Sequence, residues 1–274
     1  MIKYIILLII YNQEIKSISD HKYIVIDNSI FHANSSKNDY FIVNNQNLGI
    51  AKALNQGAMK AVELGYRWAL TMDQDSVIDD KIISSMISFL EKRPDKESIA
   101  ILSPRHLLQQ DATIKVADET REYTTTINVM TSGNLLNLNI WKKLGGFEEK
   151  LFIDMVDLEY NCRCVQNGYK VIMLNHVIMP HSLGNLQVKK LFGKEFKIMN
   201  HNHIRKYYQT RNTLYTYFMY KKTVPEIYKS LKFLLGVLVT TIIFEDQKLK
   251  KLYFMTRGFL DFCRNKYGKL NVDH

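Results

Sequence analysis

The first half of the chain alternates short apolar segments with segments of helical periodicity, and this alternation constrains the fold more than any other feature. Apolar segments of strand length are predicted at Tyr4–Tyr11, Tyr23–Asp27, Tyr40–Val43, Trp68–Met72 and Ile99–Leu102. Helical patterns are predicted over 47–64 and 81–92, and Gly65 and Pro94 mark their ends. Strands and helices in this order are typical of an α/β fold with a largely parallel sheet.

The N-terminal segment Tyr4–Tyr11 has a second interpretation as a signal peptide or membrane segment. One lysine precedes it, but no small-residue cleavage site follows. Its length is far below the roughly 20 apolar residues that span a bilayer. A fully buried strand of a parallel sheet has the same composition, and we favour that interpretation.

The remainder of the chain is predicted from weaker patterns. Residues 113–128 are polar and indicate a loop or hairpin, 129–136 are rich in strand-forming residues, and helices are predicted around 140–144 and over 157–167. A last strand is predicted at Lys170–Leu174. Beyond His181 the composition shifts to Lys, Tyr, Phe and Asn with helical periodicity.

The charge is distributed unevenly along the chain. The whole sequence has 37 basic and 27 acidic residues, but residues 1–184 hold 19 basic and 21 acidic, and residues 185–274 hold 18 basic and 6 acidic. A near-neutral body with a basic C-terminal part predicts an anionic partner, either nucleic acid or a membrane surface.

Composition excludes several classes of protein. With 46% hydrophobic and 23% charged residues, the chain is neither disordered nor collagen-like. Of its three cysteines, Cys162 and Cys164 are too close together to pair, so a disulfide scaffold is excluded and a reducing cytosol is favoured.

Two carboxylates follow a predicted strand directly, in Asp73-Gln-Asp75-Ser76. Such a pair can share a hard divalent cation that keeps positions open for phosphate. A pair of solvated turn acids is the plain alternative. The pattern also matches the nucleophile loop of haloacid-dehalogenase-type phosphatases, but those need a late pair of acids, and Asp79-Asp80 comes only a few residues on.

A second acidic cluster lies at the start of a predicted helix, in the segment Phe152–Arg163. It supplies Asp154, Asp157 and Glu159. An acid in this position accepts hydrogen bonds from free backbone amides, which fixes its orientation. The alternative is that Asp157 is only a helix cap and that Glu159 forms an exposed i,i+4 pair with Arg163.

Two further segments carry polar groups that suit a site. His181 follows a predicted strand and could complete a metal or diphosphate site, although a histidine in a loop is often without such a role. The segment Thr131-Ser132-Gly133-Asn134 could bring backbone amides close to a sugar or phosphate, or it could be a simple tight turn.

Taken together, these segments resemble family-2 glycosyltransferases of the GT-A fold, in particular the bacterial rhamnosyltransferase-like branch. Ten stretches match in family order over about the first 215 residues. They are Tyr11-Asn12, Val25–Ser29, Asn47–Gly57, Thr71–Ser76, Thr131–Asn134, Gly145–Glu149, Phe152–Arg163, Asn167–Tyr169, His181–Gly184 and Arg205–Asn212. No single stretch is decisive; the order is what makes the resemblance specific.

The resemblance implies a role for each matching residue. For the nucleotide-sugar donor these are Tyr11 and Asp27 at the base, Asn47, Gly49 and Lys52 along the cleft, Asp73 near the diphosphate, and Arg205 and Arg211 near the phosphates or a lipid acceptor. For a Mn²⁺ or Mg²⁺ ion they are Asp73, Asp75 and His181. Asp157 matches the general base, and Ser132, Gly133, Asp154 and Glu159 match the acceptor side.

The resemblance also implies a domain organisation and an activity. Residues 1–215 would form the GT-A domain, with a nucleotide-sugar half to about 110 and an acceptor half from 111, and residues 216–274 a helical extension. The activity would be inverting, metal-dependent transfer of a sugar, with dTDP-rhamnose favoured as donor, to a lipid-linked or glycan acceptor in capsule or surface-polysaccharide synthesis. A catalytically inactive GT-A scaffold of a membrane synthase complex is the alternative.

The sequence departs from the family pattern at two places. Val156 stands where many relatives have a glutamate, one residue before Asp157. Between Asn12 and Tyr23 there is too little chain for the full first helix of the relatives. The second departure concerns the predicted nucleotide-base pocket and not the acids.

The apolar segment Phe233–Phe244 is too short to span a membrane and has lysines on both sides: Lys229, Lys232, Lys248, Lys250 and Lys251. This pattern suits a helix lying in the plane of an anionic membrane. A core helix and a homodimer contact are the alternatives. No recognised nucleic-acid-binding motif is present, so we expect a peripheral protein at the cytoplasmic face of the cell membrane.

Overall fold

A computed structural model of the chain describes residues 2–12, 21–29, 40–74, 76, 78–108, 120–181, 187–191 and 194–271. The strands in these ranges are β1 (Tyr4–Ile10), β2 (Tyr23–Asp27), β3 (Tyr40–Val43), β4 (Trp68–Asp73), β5 (Ile99–Leu108), β6 (Tyr123–Thr125), β7 (Asn134–Asn137), β8 (Lys170–His181), β9 (Gln187–Leu191) and β10 (Lys194–Ile198). The α-helices are α1 (Ile50–Glu63), α2 (Asp80–Glu91), α3 (Leu138–Leu144), α4 (Val156–Gln166), α5 (His203–Tyr220), α6 (Tyr228–Ile243) and α7 (Lys248–Cys263).

Eight strands form one mixed sheet in the order β3-β2-β1-β4-β7-β5-β8-β6. The pairs β1–β2, β1–β4, β2–β3 and β5–β8 are parallel. The short β7 joins the two parallel groups by antiparallel pairing with β4 and β5. The predicted α/β fold with flanking helices is confirmed.

The apolar N-terminal segment is a central strand. β1 pairs on both sides, with β2 and β4, and its residues Ile5 to Leu7 are almost fully buried. A strand with helices over both faces of its sheet must be apolar on both sides, which explains the unbroken run. The strand interpretation of Tyr4–Tyr11 is therefore confirmed, with β1 ending at Ile10.

Each of the first two helices begins where the sequence supplies a suitable residue. Gly49 is the N-cap of α1 with φ 86°, a backbone conformation that favours glycine. Asp79 caps α2, because its side chain accepts a hydrogen bond from the Lys81 N–H. Both helices bury one apolar face, and α2 packs against the sheet through Ile83, Met86 and Leu90.

The chain divides into two compact units, Met1–Phe152 with Val156–His181, and Ile153–Met155 with Ser182–His274. The first contains the eight-stranded sheet and α1–α4. The second contains the β9–β10 hairpin and α5–α7, and its apolar core includes Leu214, Leu234 and Met255. Helix α5, placed with the GT-A domain by sequence, groups here with the C-terminal helices.

The second unit also has a buried ionic core. Glu245 accepts hydrogen bonds from Lys206 at 2.6 Å and from Lys251 at 2.9 Å, and all three side chains are nearly inaccessible to solvent. Lys251, expected among the exposed basic flank, is thus buried in an ion pair. Within the described residues no helix is both long and apolar enough to cross a membrane.

The structure extends two sequence predictions in the middle of the chain. The strand predicted at Lys170–Leu174 continues as β8 to His181, with a register shift opposite Pro104 and Arg105. Of the predicted loop or hairpin over 113–128, the described part contains β6, which pairs antiparallel with β8. The region between Asn12 and Tyr23, where a shortened helix was expected, lies mostly outside the described residues.

Candidate active site

The ends of β1, β2 and β4 bring predicted site residues to one edge of the sheet. Ile10 is paired with Asp27 and Ile9 with Asp73, so the two aspartates flank the end of β1. Tyr11 follows at the same edge, and its backbone N–H donates to the Gln74 side chain at 2.6 Å. The carboxyl edge of parallel strands is where α/β proteins bind ligands.

Asp27 and Asp73 differ in their surroundings. Asp27 is almost fully buried, and its Oδ1 accepts a hydrogen bond from the Ser29 N–H at 2.8 Å. Asp73 is half-buried at the end of β4. The carboxylate of Asp27 is thus held in a fixed orientation, whereas that of Asp73 is partly open to solvent.

The turn at Thr131–Asn134 is attached to the end of β4. The Ser132 hydroxyl accepts a hydrogen bond from the Asp73 N–H at 3.2 Å, and the Gly133 N–H donates to Thr71 O at 2.7 Å. Gly133 has φ 80°, and a Cβ there would collide with the Met179 sulfur, so glycine is required. The turn therefore lies beside Asp73.

Side-chain amides hold the start of α1 against the same edge. Asn47 Oδ1 accepts from the Gly49 N–H at 2.9 Å, and Asn28 Nδ2 donates to Gly49 O at 3.1 Å. The backbone at Gly49 also approaches Phe152 so closely that a Cβ would lie 2.6 Å from Phe152 O. The next amide, at Ile50, donates to that oxygen at 2.8 Å.

Lys52, one turn into α1, lies at a separate groove on the outside of this helix. The groove has a volume of about 590 Å³ and is bordered by α1, the end of α3 and Glu149. The Lys52 ammonium forms an exposed ion pair with Glu149 at 3.0 Å.

Asp157 lies in the first turn of α4, where its Oδ1 accepts from the Leu158 N–H at 2.8 Å. Burial raises the pKa of this carboxyl, and the hydrogen bonds from backbone amides oppose the increase only in part. Asp157 shares a small cavity with Thr71 and Thr131, so it lies near the segment that holds Asp73. A carboxylate with a raised pKa is suited to accept a proton near neutral pH.

Glu159 is in a different environment from Asp157 although both lie in the first two turns of α4. It is buried and forms a bidentate ion pair with Arg163, at 3.0 Å and 2.7 Å. Arg163 also donates to Leu144 O at 2.7 Å. The i,i+4 pair that the sequence suggested is therefore present but buried, and these contacts fix α4 rather than an acceptor.

The predicted metal ligands are only partly described. Asp73 is described, whereas Asp75 and the side chain of His181 lie outside the described residues. Among the described side chains no cluster of three or more His, Cys, Asp or Glu residues is present. The three-residue set proposed from sequence thus stays a prediction.

The second unit contains Ile153–Met155, the segment directly before α4. Asp154 and Met155 have φ values of 62° and 65°, which non-glycine residues rarely adopt. Asn212 donates to Ile153 O at 2.7 Å and to Asp154 O at 3.1 Å. Arg205 is partly exposed and donates to the Asp154 carboxylate at 3.2 Å. Two residues that the sequence assigned to the site are therefore in contact within this unit.

Arg211, the other basic residue assigned to phosphate by resemblance, is almost fully buried in the second unit. Its guanidinium lies 5.1–5.6 Å from the rings of three tyrosines, Tyr207, Tyr208 and Tyr267. It also donates to the Tyr207 hydroxyl at 3.2 Å and to Gly268 O at 2.9 Å. These are the contacts of a residue that stabilises the helical unit, and the function proposed below does not use Arg211.

Sequence reasoning missed two buried residues beside Asp157. Asn161 follows Asp157 by one helical turn, and its amide donates to Ile127 O at 2.8 Å and Val129 O at 3.0 Å. Asn134, noted only as part of a turn, lines the same cavity. A polar residue on the buried face of α4, four residues after the acid, is the signal that could have identified Asn161.

Comparison with known proteins finds a curated relative. The chain is 26% identical over 230 residues to the dTDP-rhamnosyl transferase RfbF of Shigella flexneri, covering 78% of this chain and 74% of the relative. No protein-family model matches the chain.

Solved structures with the same fold include glycosyltransferases. The crystal structure of GalNAc-T7 with UDP, GalNAc and Mn²⁺ has a TM-score of 0.56 at 10% identity and matches 96% of this chain. The chain spans 56% of the length of that structure. The structure of S. aureus TarS 1–349 has a TM-score of 0.55 at 10% identity, covering 95% of this chain and 81% of TarS.

The fold is that of the GT-A glycosyltransferases. Together with the sequence similarity to a dTDP-rhamnosyl transferase, it identifies a glycosyltransferase, and the phosphatase interpretation of Asp73–Ser76 is therefore rejected.

Proposed function

We propose that this protein is an inverting glycosyltransferase that transfers rhamnose from dTDP-rhamnose to a lipid-linked or glycan acceptor in bacterial surface-polysaccharide synthesis. The observation that carries the proposal is the placement of Asp157: a half-buried carboxyl with a raised pKa, in a cavity shared with the strand and turn that hold Asp73. The similarity to a dTDP-rhamnosyl transferase supports this donor over UDP-galactofuranose, UDP-galactose and UDP-N-acetylglucosamine.

The donor would lie along the carboxyl edge of the sheet. Asp27, with its carboxylate fixed by the Ser29 amide, would accept a hydrogen bond from the base, beside Tyr11. Asn47 and Gly49 shape the start of α1, whose backbone approaches close enough to bound the nucleotide cleft. Lys52 pairs with Glu149 at the separate groove outside α1, so we do not place it at the phosphates. Arg205, which belongs to the second unit and pairs with Asp154, is proposed from the family resemblance alone as a cation for the phosphates.

Asp157 would act as the general base. It would take the proton of the acceptor hydroxyl as that oxygen attacks the anomeric carbon, and the nucleoside diphosphate would leave from the opposite face. Positioned proton transfer of this kind contributes about 10²–10⁴-fold in rate. Ser132 and Gly133 are proposed to border the acceptor, whereas the buried pair with Arg163 leaves Glu159 a supporting role. Asp154, in the second unit, is assigned to the acceptor side by the family resemblance alone.

Oxygen donors at the end of β4 suit Mn²⁺ or Mg²⁺, which prefer carboxylate ligands. Asp73 is half-buried there with its backbone fixed by Ser132, and it would hold the ion with Asp75 and His181. A bound cation would neutralise negative charge on the leaving diphosphate.

An anionic membrane surface is proposed as the location of the acceptor. Helices α6 and α7 expose large apolar side chains, among them Phe233, Leu235, Leu249 and Tyr253, of which Leu249 is 85% exposed. Exposed lysines accompany them: Lys229, Lys232, Lys248 and Lys250. Apolar side chains with adjacent cations are the combination that binds peripheral proteins to anionic lipid at the cytoplasmic face.

Calorimetric titration of the protein with the four nucleotide sugars, each with and without Mn²⁺, tests the donor and the cation together. We expect dTDP-rhamnose to bind most tightly and only weakly without Mn²⁺. Asp75→Ala should reduce the Mn²⁺-dependent part of the affinity, and Asp79→Ala, an exposed acid four residues on, serves as the control. Equal affinity for all four sugars, or none for any, would contradict the proposal.

A further inference from the structure

A small cavity is lined in part by Asp157. The volume open to the centre of a water molecule is about 10 Å³, which corresponds to about one water. Its lining residues come from β4, β5, the turn before β7, β7, the loop before α4 and α4 itself: Thr71, Ile101, Thr131, Asn134, Leu136, Phe147, Asp157 and Asn161.

Two amide oxygens of this lining are buried without a donor. Asn134 Oδ1 and Asn161 Oδ1 accept no hydrogen bond from the described residues. The orientation of both amides is fixed, because Asn161 Nδ2 donates to two backbone carbonyls and Asn134 Nδ2 donates to Met130 O. Leaving a buried acceptor without a donor costs about 1–3 kcal/mol, so native proteins usually satisfy such groups, often with water.

The charged neighbours do not meet this need. Glu159 and Arg163, on the same helix, pair with each other. The lining residues contributed by other elements have no titratable side chains. The Thr71 hydroxyl already donates to Thr131 O, so among the described lining groups the donor is the Thr131 hydroxyl, a protonated Asp157 or a bound small molecule such as water.

We propose that the cavity binds one water molecule that links Asn134 Oδ1 and Asn161 Oδ1 to the Asp157 carboxyl, and that these two asparagines are positioning residues for the base. The part of this inference that concerns catalysis rests on the function proposed above. It deepens that function by assigning a means by which the protein sets the proton affinity of Asp157.

Counting hydrogens shows why the arrangement favours a protonated Asp157. A water molecule has two hydrogens, whereas an ionised Asp157 and the two amides present three acceptors. One acceptor then has no donor. When Asp157 takes a proton it donates to the water, and the water donates to both amides, so every group is satisfied. Burial of the carboxyl raises the pKa of Asp157 and so acts in the same direction.

The inference predicts that removing either amide lowers the pKa of Asp157. Carbon-13 NMR of aspartate-labelled full-length protein would follow the carboxyl during a pH titration, with Asp157→Asn used to assign the signal. In Asn134→Ala and Asn161→Ala we expect the pKa to fall by about half a unit or more. Asn175→Ala is the matched control, because Asn175 is equally buried and donates to a backbone carbonyl but does not line the cavity.

An unchanged Asp157 pKa in Asn134→Ala and Asn161→Ala, or an equal decrease in Asn175→Ala, would overturn the inference. Should Asn161→Ala fail to fold, Asn134→Ala decides the question. A high-resolution crystal structure should show one ordered water within hydrogen-bond distance of both amide oxygens, and a collapsed, dry cavity would contradict it. Both measurements use the protein without substrate. A lack of donor turnover would contradict the proposed function but would not change the pKa or the water that these measurements detect.

Discussion

Single residues decide whether the backbone can form the edge of the proposed donor site. Gly49 and Gly65 both have positive φ, at 86° and 80°. A Cβ at Gly49 would lie 2.6 Å from Phe152 O, whereas nothing lies within 4 Å of one at Gly65. Gly65 ends α1 in the usual way of helix C-termini, and Gly49 in addition permits a close approach of two backbone segments.

Gly49→Ala is expected to destabilise the protein more than Gly65→Ala. An alanine with positive φ at Gly65 should cost about 1 kcal/mol. Gly49 has φ 86° and ψ 161°, a region that only glycine adopts readily, and its Cβ would also collide with backbone, so we expect a cost of about 3 kcal/mol or more there. Urea unfolding of both variants measures the difference. Equal free energies of unfolding would show that the close approach at Gly49 has no energetic consequence.

His201 makes stability depend on pH. Burial and the nearby cations Arg205, Lys206 and Lys251 lower the pKa of His201 to about 4, although Glu245 opposes this. Because the folded pKa lies below the value of 6.5 for an unperturbed histidine, the folded state resists protonation. The contribution of His201 to the free energy of unfolding is therefore fully present above pH 6.5 and is lost progressively as the pH falls toward 4.

Thermal unfolding of wild type and His201→Gln between pH 7.5 and about 4.5 checks this sign. We expect the melting temperature of the wild type to fall more steeply than that of the variant as the pH decreases. Asp157, with a raised pKa, contributes the opposite sign in both proteins and so does not affect the comparison. Parallel curves would contradict the assignment to His201.

Among the secondary-structure elements, α4 carries the base and is fixed by a buried ion pair. Glu159→Ala would leave the Arg163 guanidinium, which is only 19% exposed, without its carboxylate. Loss of one partner of a buried pair is strongly destabilising, here by about 2–3 kcal/mol. Glu63→Ala, which breaks the exposed Lys60–Glu63 pair on α1, should cost less than about 1 kcal/mol. Chemical denaturation compares them, and similar losses would contradict the role given to Glu159.

The sequence predicted the elements better than their pairing. Strands such as Tyr23–Asp27 and helices such as Asp80–Glu91 follow from local periodicity, and the structure has them at or within a residue of the predicted bounds. The continuation of β8 to His181 and the antiparallel insertion of β7 depend on pairing with distant strands, which a local pattern does not encode.

The same distinction applies to the site. Asp27 and Asp73 could be placed at one edge because the ends of parallel strands coincide. The burial of Arg211 among tyrosines and the buried pair of Glu159 with Arg163 could not be predicted in this way. A motif gives residue types and not the direction of a side chain. The cavity lined by Asp157 arises only when several elements pack together.

The whole chain separates a near-neutral sheet unit from a basic helical unit. Residues 1–184 have 19 basic and 21 acidic side chains, and residues 185–274 have 18 and 6. Several of the excess cations are structural, since Lys206, Lys251 and Arg211 are buried. The lysines that remain exposed on α6 and α7 are the ones that the membrane proposal uses.

Leu249→Glu is expected to weaken binding to vesicles that contain anionic phosphatidylglycerol by about tenfold. The substitution replaces a highly exposed apolar side chain with a carboxylate, which has the same sign of charge as the lipid. Sedimentation of the full chain with such vesicles measures this, because a chain ending near residue 215 would divide the second unit. Met59→Glu, on α1, is the control. Equal retention of both variants would contradict the proposed surface.

Turnover of dTDP-rhamnose by wild type and Asp157→Asn in Mn²⁺ tests whether Asp157 is the base of a nucleotide-sugar transferase. We expect the variant to bind the donor with an affinity within a few-fold of wild type and to release dTDP at least about a hundredfold more slowly. An Asp157→Asn variant with wild-type turnover would contradict this role.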